Sequence, residues 1–280
     1  MISTIKYIAS SGNEYDLTTN GVLHKSANYY SWAWEVRGTV LQYGIRVADF
    51  SRPPAEYDTE LVIYGTPTER RRILTELHDD FENDLRKKKP GRIIWGDYYI
   101  DCYVIQSQSQ PMETWAYISD TIHIYAPHPF WIKEEKVSLY PSTTVESEFL
   151  DYPHDFPFDY TQPPIGTVVV GSDFPFESEF KMIIYGAAVN PRITINGYDY
   201  VLYTTIPANA YAVIDSRTHS ITLFNNDGTQ SNLFDFRNKT DSVFQKIPGD
   251  NLQISWDATF GTDIIIYRER SEPEFGEVTG

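Results

Sequence analysis

The sequence has little of what several functional classes require. Its 280 residues include one cysteine, Cys102, so an intramolecular disulfide is impossible and a reducing folding compartment is favoured. Lysine and arginine number 23 against 39 acidic residues, and the net charge of −16 disfavours nonspecific binding to DNA or RNA. The start, MISTIKYIASSG, has no continuous apolar run, so we expect no secretory signal. The longest apolar runs, such as VVV at 168–170, are too short to span a bilayer.

Catalytic motifs are equally scarce. The chain has no G-x-S-x-G elbow, no H-E-x-x-H pair and no P-loop, and its six histidines lack a helical metal-binding spacing. Cys102 lies in the predicted strand YYIDCYVI, where a buried, inert thiol is expected. Asp97 and Asp101 can share a strand face, but carboxylate pairs arise often by chance in so acidic a chain. We therefore predict no enzyme, no catalytic residue, no metal and no cofactor, with a glycosidase as a distant alternative.

The residues that are abundant favour a mainly β protein of two domains. The chain contains 15 Phe, 21 Tyr and 6 Trp, which are typical of strands, and its length suits two domains. An alternating strand ends abruptly at Pro127 and Pro129, and this break predicts domains over 1–132 and 133–280. In the second half, short strands follow one another, with a hairpin turn at Asn196-Gly197. Their spacing indicates a β-sandwich or a jelly roll.

One segment switches from strand to helix periodicity, and we predict a helix over about 67–88. Thr66 is suited to the N-cap, Pro67 to the first helical position, and Glu69 completes a capping box. Pro90-Gly91 ends the helix. Apolar residues at helical spacing predict a stripe that packs on the core. The stripe consists of Ile73, Leu74, Leu77, Phe81 and Leu85.

The charges along this helix are divided in an unusual way. Three arginines occupy its first turns, where the helix dipole disfavours cations, and acidic residues follow. One interpretation is a solvated polar face. The other is pairing with complementary charges on neighbouring subunits, which makes these residues candidates for a protomer interface. The candidates are Arg70, Arg71, Arg72, Asp80 and Asp84.

A five-residue word recurs in an aromatic and proline-rich connector at about 149–178: DFPFD at 155–159 and DFPFE at 173–177. Each proline extends the phenylalanine before it, so the two rings of each word are expected to face the same way. The segment is either an interdomain connector or a strap that docks on a neighbouring subunit. The candidate docking residues are Phe156, Phe158, Phe174 and Phe176.

Four words near the C-terminus are typical of one family: KIPG at 246–249, ISW at 254–256, FGTD at 260–263 and YRERSEP at 267–273. With the FPF words, FKMIIYGAAVNPRITING at 180–197 and IYAPHPFW at 124–131, they make most of the chain resemble the distal tail (Dit) proteins of long-tailed phages. The resemblance is strongest after Phe174 and loosest over the first sixty residues. Arg268 departs from the pattern, since many relatives carry Glu there.

This resemblance implies a fold and a role. The first domain would be a tail-tube-like β-sandwich with one helix, and the second a galectin-like β-sandwich. Six copies would form a ring that joins the tail tube to the tip or baseplate and lets DNA pass, without catalytic residues or sequence-specific DNA binding. The implied partners are the tail tube protein, a tail-associated tip protein and receptor-binding proteins. The protein would be made and assembled in the host cytoplasm and reside in the virion tail tip. The alternative is a carbohydrate-binding β-sandwich module at the tail tip that contacts the host cell surface.

Overall fold

The computed structural model describes residues 5–111, 116–141, 166–172 and 174–274. The described chain is mainly β with one α-helix, as predicted. Its contacts divide it into two compact units, the first formed by the described parts of Met1–Lys133 and Glu269–Gly280, and the second by those of Glu134–Arg268. Their assignment as a ring-forming and a galectin-like domain stays a prediction.

The first unit contains two antiparallel sheets that share one long strand. The elements are β1 Ile5–Ile8, β2 Glu14–Asp16, β3 Val22–Ala27, β4 Glu35–Val40, β5 Ile45–Ser51, β6 Ala55–Tyr64, α1 Pro67–Lys87, β7 Gly91–Trp95, β8 Tyr98–Pro111 and β9 Tyr117–Ala126. One sheet has the order β2–β1–β7–β8, and the other has the order β3–β6–β9–β8. Another two strands, β4 and β5, pair only with each other.

The predicted helix is confirmed: it begins at the predicted residue, Pro67, and ends at Lys87, one residue before the predicted end. The Thr66 side chain accepts a hydrogen bond from the Glu69 N–H, and the Glu69 carboxylate accepts one from the Thr66 N–H, which completes the capping box. Lys88 ends the helix in the left-handed conformation. α1 packs against β6 and β8.

The predicted apolar stripe is right only over the middle of the helix. Leu77 and Phe81 are buried, and Ile73 packs at the edge of the core, but Leu85 is 39% exposed. One helical turn beyond Phe81, the inward position belongs to Asp84, which is fully buried. At the C-terminal end of the helix, a carboxylate, that of Asp84, therefore faces the inside of the unit, where the stripe predicts Leu85.

The last described residues, Glu269–Glu274, belong to the first unit rather than to the domain that the sequence assigns to 133–280. Hydrogen bonds explain their position. The Arg52 guanidinium donates to the Ser271 hydroxyl at 2.7 Å and to its carbonyl oxygen at 3.1 Å, and His128 Nε2 lies 2.8 Å from Glu269 Oε1. The YRERSEP word thus carries side chains that tie the chain end back to the first unit.

The second unit is built from two antiparallel sheets and a small pair of strands. The elements are β10 Trp131–Leu139, which begins in the first unit, β11 Thr167–Val170, β12 Glu179–Tyr185, β13 Ala188–Val189, β14 Arg192–Ile195, β15 Tyr198–Val201, β16 Thr205–Ile206, β17 Tyr211–Asp215, β18 Ser220–Phe224, β19 Gln230–Asn232, a 3₁₀ helix Phe234–Phe236, β20 Leu252–Trp256 and β21 Thr262–Arg270. The first sheet has the order β19–β18–β17–β12–β21–β10, the second has the order β11–β20–β14–β15, and β13 pairs with β16.

The hairpin predicted in this unit is confirmed. Ile195 pairs with Tyr198 across a two-residue turn, and Asn196 and Gly197 have φ values of 48° and 82°, as a type I′ turn requires. Alternate residues of the strands are buried, so Phe180 and Ile254 lie in one core with the inward residues of the other strands. This pattern is that of a β-sandwich.

Candidate interaction surfaces

The three arginines at the start of α1 do not share one environment. Arg71 and Arg72 are exposed, and the Arg72 Nη1 lies 2.9 Å from a Glu76 carboxylate oxygen one turn along the helix. Arg70 is only 5% exposed. The structure therefore brings Arg71 and Arg72, but not Arg70, to the surface as charges that a neighbouring subunit can reach.

The two predicted interface carboxylates are held inside the first unit. Asp80 accepts hydrogen bonds from the Tyr15 hydroxyl at 2.6 Å, the Ser11 hydroxyl at 2.9 Å and the Asn13 amide at 2.9 Å. Burial alone raises the pKa of the Asp80 carboxyl, but these three bonds together outweigh burial and bring the pKa below its usual range. The sequence does not reveal this role, because the three donors lie more than sixty residues before Asp80 in the chain.

Asp84 links α1 to β1 and to the residues that follow β1. Its Oδ2 accepts a hydrogen bond from the Tyr7 hydroxyl at 2.5 Å, and its Oδ1 accepts one from the Ser10 N–H at 3.0 Å. Burial, followed by this hydrogen bond, raises the pKa of Tyr7. Two of the five predicted interface residues of the helix, Asp80 and Asp84, are thus bonded inside the first unit.

The predicted docking aromatics of the second FPF word have different exposures. Phe174 is buried, whereas Phe176 is 64% exposed, and the two rings meet edge to face with centroids 5.5 Å apart. Gly249 of the KIPG word lies so close that an added Cβ would be 2.4 Å from the Phe174 carbonyl oxygen. Phe176 is therefore free to contact a partner. Phe156 and Phe158 lie outside the described residues.

Arg268 explains how Phe174 is held. Its guanidinium lies 5.2 Å from the centre of the Phe174 ring and donates to Glu135 Oε2 at 2.8 Å. It also donates to the hydroxyls of Ser178 and Ser172. Arg268 is thus a buried cation with several partners, one of them a carboxylate.

Sequence reasoning missed a second surface, the lone hairpin of β4 and β5. No residue from Ser31 to Phe50 is buried, and nine large apolar side chains of this segment are exposed. The pairing makes the hairpin amphipathic. Val36 faces Phe50 and Val40 faces Ile45 on one face, whereas the pairs Arg37–Asp49 and Thr39–Arg46 lie on the opposite face. The register shifts by one residue between Arg37 and Gly38, where Ala48 is the extra residue of a bulge in β5. Because of this bulge, Val47 and Phe50 lie on the same face of the hairpin.

The apolar face of this hairpin, defined by Val36, Val40, Ile45, Val47 and Phe50, is open to solvent in the single chain. Isolated two-stranded hairpins have marginal stability in water, and large exposed apolar patches mark interaction sites. The alternation in WEVRGTV was visible in the sequence. Alternation predicts a strand with one apolar face, but it does not tell whether the chain itself covers that face.

A group of side chains in the first unit resembles a catalytic triad in composition but not in geometry. His78 Nε2 lies 3.0 Å from the Ser107 hydroxyl and 3.1 Å from Asp120 Oδ2, so both contacts use one ring nitrogen. In a triad the carboxylate holds the other nitrogen, which leaves Nε2 for the serine. Ser107 moreover donates directly to Asp120 at 2.7 Å. His78 and Ser107 therefore provide hydrogen bonds to the buried carboxylate of Asp120.

The remaining sequence candidates for chemistry are buried or paired with a cation. Cys102 is fully buried, and burial raises the pKa of its thiol, which disfavours the reactive thiolate. Asp97 pairs with Lys133 and Asp101 with Arg92. Among the described residues, no group of three or more His, Cys, Asp or Glu is placed to hold a metal ion. Within that same part of the chain, no helix is long and apolar enough to cross a membrane.

Comparison with known proteins identifies the fold. No protein-family model matches the chain, and a search of curated proteins finds no significant match. Among solved structures, the chain is similar to the Dit protein of phage SPP1, described as a paradigm of the hub adsorption apparatus in phages that infect Gram-positive bacteria. The TM-score is 0.62 at 11% identity, over 95% of this chain and 99% of that one.

Two structures of the phage P2 baseplate in its activated conformation also match. The structure with Ca has a TM-score of 0.64 at 13% identity, and the structure with Sr a TM-score of 0.62 at 14% identity. Each match covers 98% of this chain and all of the other. The chain therefore has the fold of phage hub and baseplate proteins along nearly its whole length.

Proposed function

We propose that this protein is a distal tail hub protein, whose copies form a ring that joins the tail tube to the tip of a phage tail. The likeness to hub and baseplate proteins along almost the whole chain supports this role. The observation that carries assembly is the exposed apolar face of the β4–β5 hairpin. A role in assembly accounts for this face, and we infer that the protein is structural rather than catalytic.

In the proposed ring, the hairpin of one copy packs on the next copy. A head-to-tail contact of this kind closes into a ring when its rotation fits, and a hexamer is the proposed order. Each subunit then covers an apolar face that its own chain leaves open. The exposed Arg71 and Arg72 are proposed to add electrostatic contacts, each contributing only about 0–1 kcal/mol but repeated at every interface.

The acidic composition fits a channel for DNA. A surface with excess negative charge repels phosphates, so DNA can pass through the ring without binding to it. The proposed partners are the tail tube protein, a tail-associated tip protein and receptor-binding proteins. We place the protein in the virion tail tip after assembly in the host cytoplasm.

Sedimentation velocity on three full-length variants tests the proposal. Val40 is 78% exposed, so Val40→Asp is expected to leave the fold intact but to shift the protein toward smaller species. Thr39→Asp, on the opposite face of the same strand, adds the same charge and is expected to leave the wild-type profile unchanged. Arg71→Glu combined with Arg72→Glu is expected to weaken association in a salt-dependent way.

Two results would contradict the proposed ring or its hairpin interface, and a third would exclude the arginines from that interface. A wild-type protein that stays monomeric at every concentration would refute the ring. If Val40→Asp and Thr39→Asp both keep a wild-type oligomer, the hairpin is not the interface. If only the arginine variant keeps the wild-type profile, Arg71 and Arg72 form a solvated face.

A further inference from the structure

The second unit carries an aromatic patch that neither its core nor the proposed ring explains. Tyr203 is 58% exposed and Phe236 is 47% exposed, and neither ring stacks on another aromatic ring of the described residues. Polar side chains surround the two rings in one concavity. We call this the Tyr203–Phe236 patch, defined by Tyr203, Asp235, Phe236, Arg237, Lys239 and Thr240.

Backbone hydrogen bonds hold the patch in shape. The Tyr203 N–H donates to the Phe236 carbonyl at 2.7 Å, and the Asn238 N–H donates to the Val201 carbonyl at 3.1 Å. The Asn238 side chain closes the following turn by accepting a hydrogen bond from the Thr240 N–H at 3.0 Å. The two rings therefore project from neighbouring, mutually bonded segments, and a ligand would find them already placed.

The cations of the patch differ from most other cations of this unit. Five of those others, Lys136, Lys181, Arg192, Lys246 and Arg268, each pair with a carboxylate. Within the described residues, Arg237 and Lys239 have no carboxylate partner. Arg237 lies 3.8 Å from the centre of the Phe234 ring and donates one hydrogen bond, to the Phe234 carbonyl at 2.6 Å, which leaves most of its donors for a ligand.

Unpaired cations are unexpected in a chain with a net charge of −16. Exposed rings offer flat apolar faces, and the hydroxyl of Thr240 and the carboxylate of Asp235 can bond to ligand hydroxyls. Flat rings, hydroxyl-binding groups and unpaired cations together suit a sugar chain with anionic groups. Its C–H faces would pack on Tyr203 and Phe236, and its carboxylates or phosphates would pair with Arg237 and Lys239.

We propose that the Tyr203–Phe236 patch binds an acidic oligosaccharide. This site does not depend on ring formation. The test uses the full-length protein on a glycan array with uronic-acid, sialylated and phosphorylated oligomers beside neutral oligomers of glucose, galactose and N-acetylhexosamines. The strongest acidic probe is then titrated by calorimetry.

Matched variants locate the binding. Tyr203→Ala and Phe236→Ala are each expected to weaken binding about tenfold or more, as central aromatic contacts do. Tyr140→Ala, which removes an exposed tyrosine outside the patch, is expected to have no effect. Lys239→Gln is expected to weaken binding and its salt dependence, whereas Lys246→Gln, which removes a paired lysine, is expected to do neither.

Three results overturn the proposal. They are an array without binding, binding only to neutral sugars, and binding that Tyr203→Ala and Phe236→Ala leave unchanged. All variants replace exposed side chains, and thermal melts that match the wild type exclude unfolding as the cause of any loss.

Discussion

Asp84 is expected to contribute more to the stability of the first unit than any exposed charge of α1. Its carboxylate is fully buried and accepts hydrogen bonds from the Tyr7 hydroxyl and the Ser10 N–H. Gly91 has to be glycine for this arrangement, because an added Cβ would lie 2.3 Å from the Tyr7 hydroxyl oxygen and 2.7 Å from Asp84 Oδ2. The substitution Asp84→Ala removes the acceptor and leaves the Tyr7 hydroxyl buried without a partner.

The magnitude follows from the two lost bonds. Hydrogen bonds to a charged acceptor contribute roughly 1.5–3 kcal/mol each, so Asp84→Ala should lower the free energy of unfolding by about 3–6 kcal/mol. For a unit of this size the melting temperature should fall by roughly 10–20 °C. Tyr7→Phe removes only the hydroxyl and its hydrogen bond to Asp84, since the ring keeps its edge contact with Phe81. This variant should therefore lower the free energy of unfolding by about 1–3 kcal/mol.

Hydrogen exchange followed by mass spectrometry suits this test, because peptides from α1 and β1 report on the first unit alone. The Asp84→Ala variant should exchange faster in both elements. Combining it with Tyr7→Phe should cost less than the sum of the single changes, since both remove the same bond. Asp79→Ala, an exposed carboxylate of the same helix, is the control. Wild-type protection in Asp84→Ala would refute the argument that this carboxylate holds the helix.

Two further predictions concern the same unit. Phe81→Ala should lower the free energy of unfolding by about 3–5 kcal/mol, because Phe81 is buried. Leu85→Ala, at the exposed end of the predicted stripe, should change it by less than about 0.5 kcal/mol. Denaturant titration measures both values, and equal losses would show that Leu85 packs in the core. Burial raises the pKa of the Asp120 carboxyl, but hydrogen bonds from His78, Ser107 and Ser109 together lower it below its usual value. The stability that Asp120 contributes is therefore present above about pH 4 and is lost as the pH falls through the lower folded pKa. Asp120→Asn should accordingly reduce the fall in melting temperature that acid causes. A melting temperature that falls with acid as steeply as in the wild type would contradict this assignment.

The sequence predicted correctly those helix and turn boundaries that are set by neighbouring residues. The capping box of Thr66 and Glu69 fixes where α1 begins, and Asn196-Gly197 fixes a two-residue turn, because only neighbouring residues take part in each. The prolines at 127 and 129 likewise separate β9 from β10. These predictions needed no knowledge of what packs on the element.

Contacts between distant residues account for the errors. Helical periodicity placed Leu85 in the core, but the inward position at that level is taken by Asp84, whose donors come from residues 7 and 10. The same patterning assigned Asp80 to an outer charged face, although three polar side chains near the N-terminus surround it. A helical carboxylate is predicted to face solvent unless its hydrogen-bond donors are known, and the donors to Asp80 and Asp84 are remote in sequence.

The first unit thus separates the residues that fold it from the residues that are available to a partner. Asp80, Asp84 and Phe81 are used inside the unit, whereas the apolar face of the hairpin makes no comparable contribution to its core. Surface substitutions away from packed or bonded groups usually change stability by less than about 0.5 kcal/mol. Val40→Asp should therefore alter association without altering the melting temperature of the monomer. A subunit built in this way can fold completely before it assembles, because assembly uses side chains that folding leaves free.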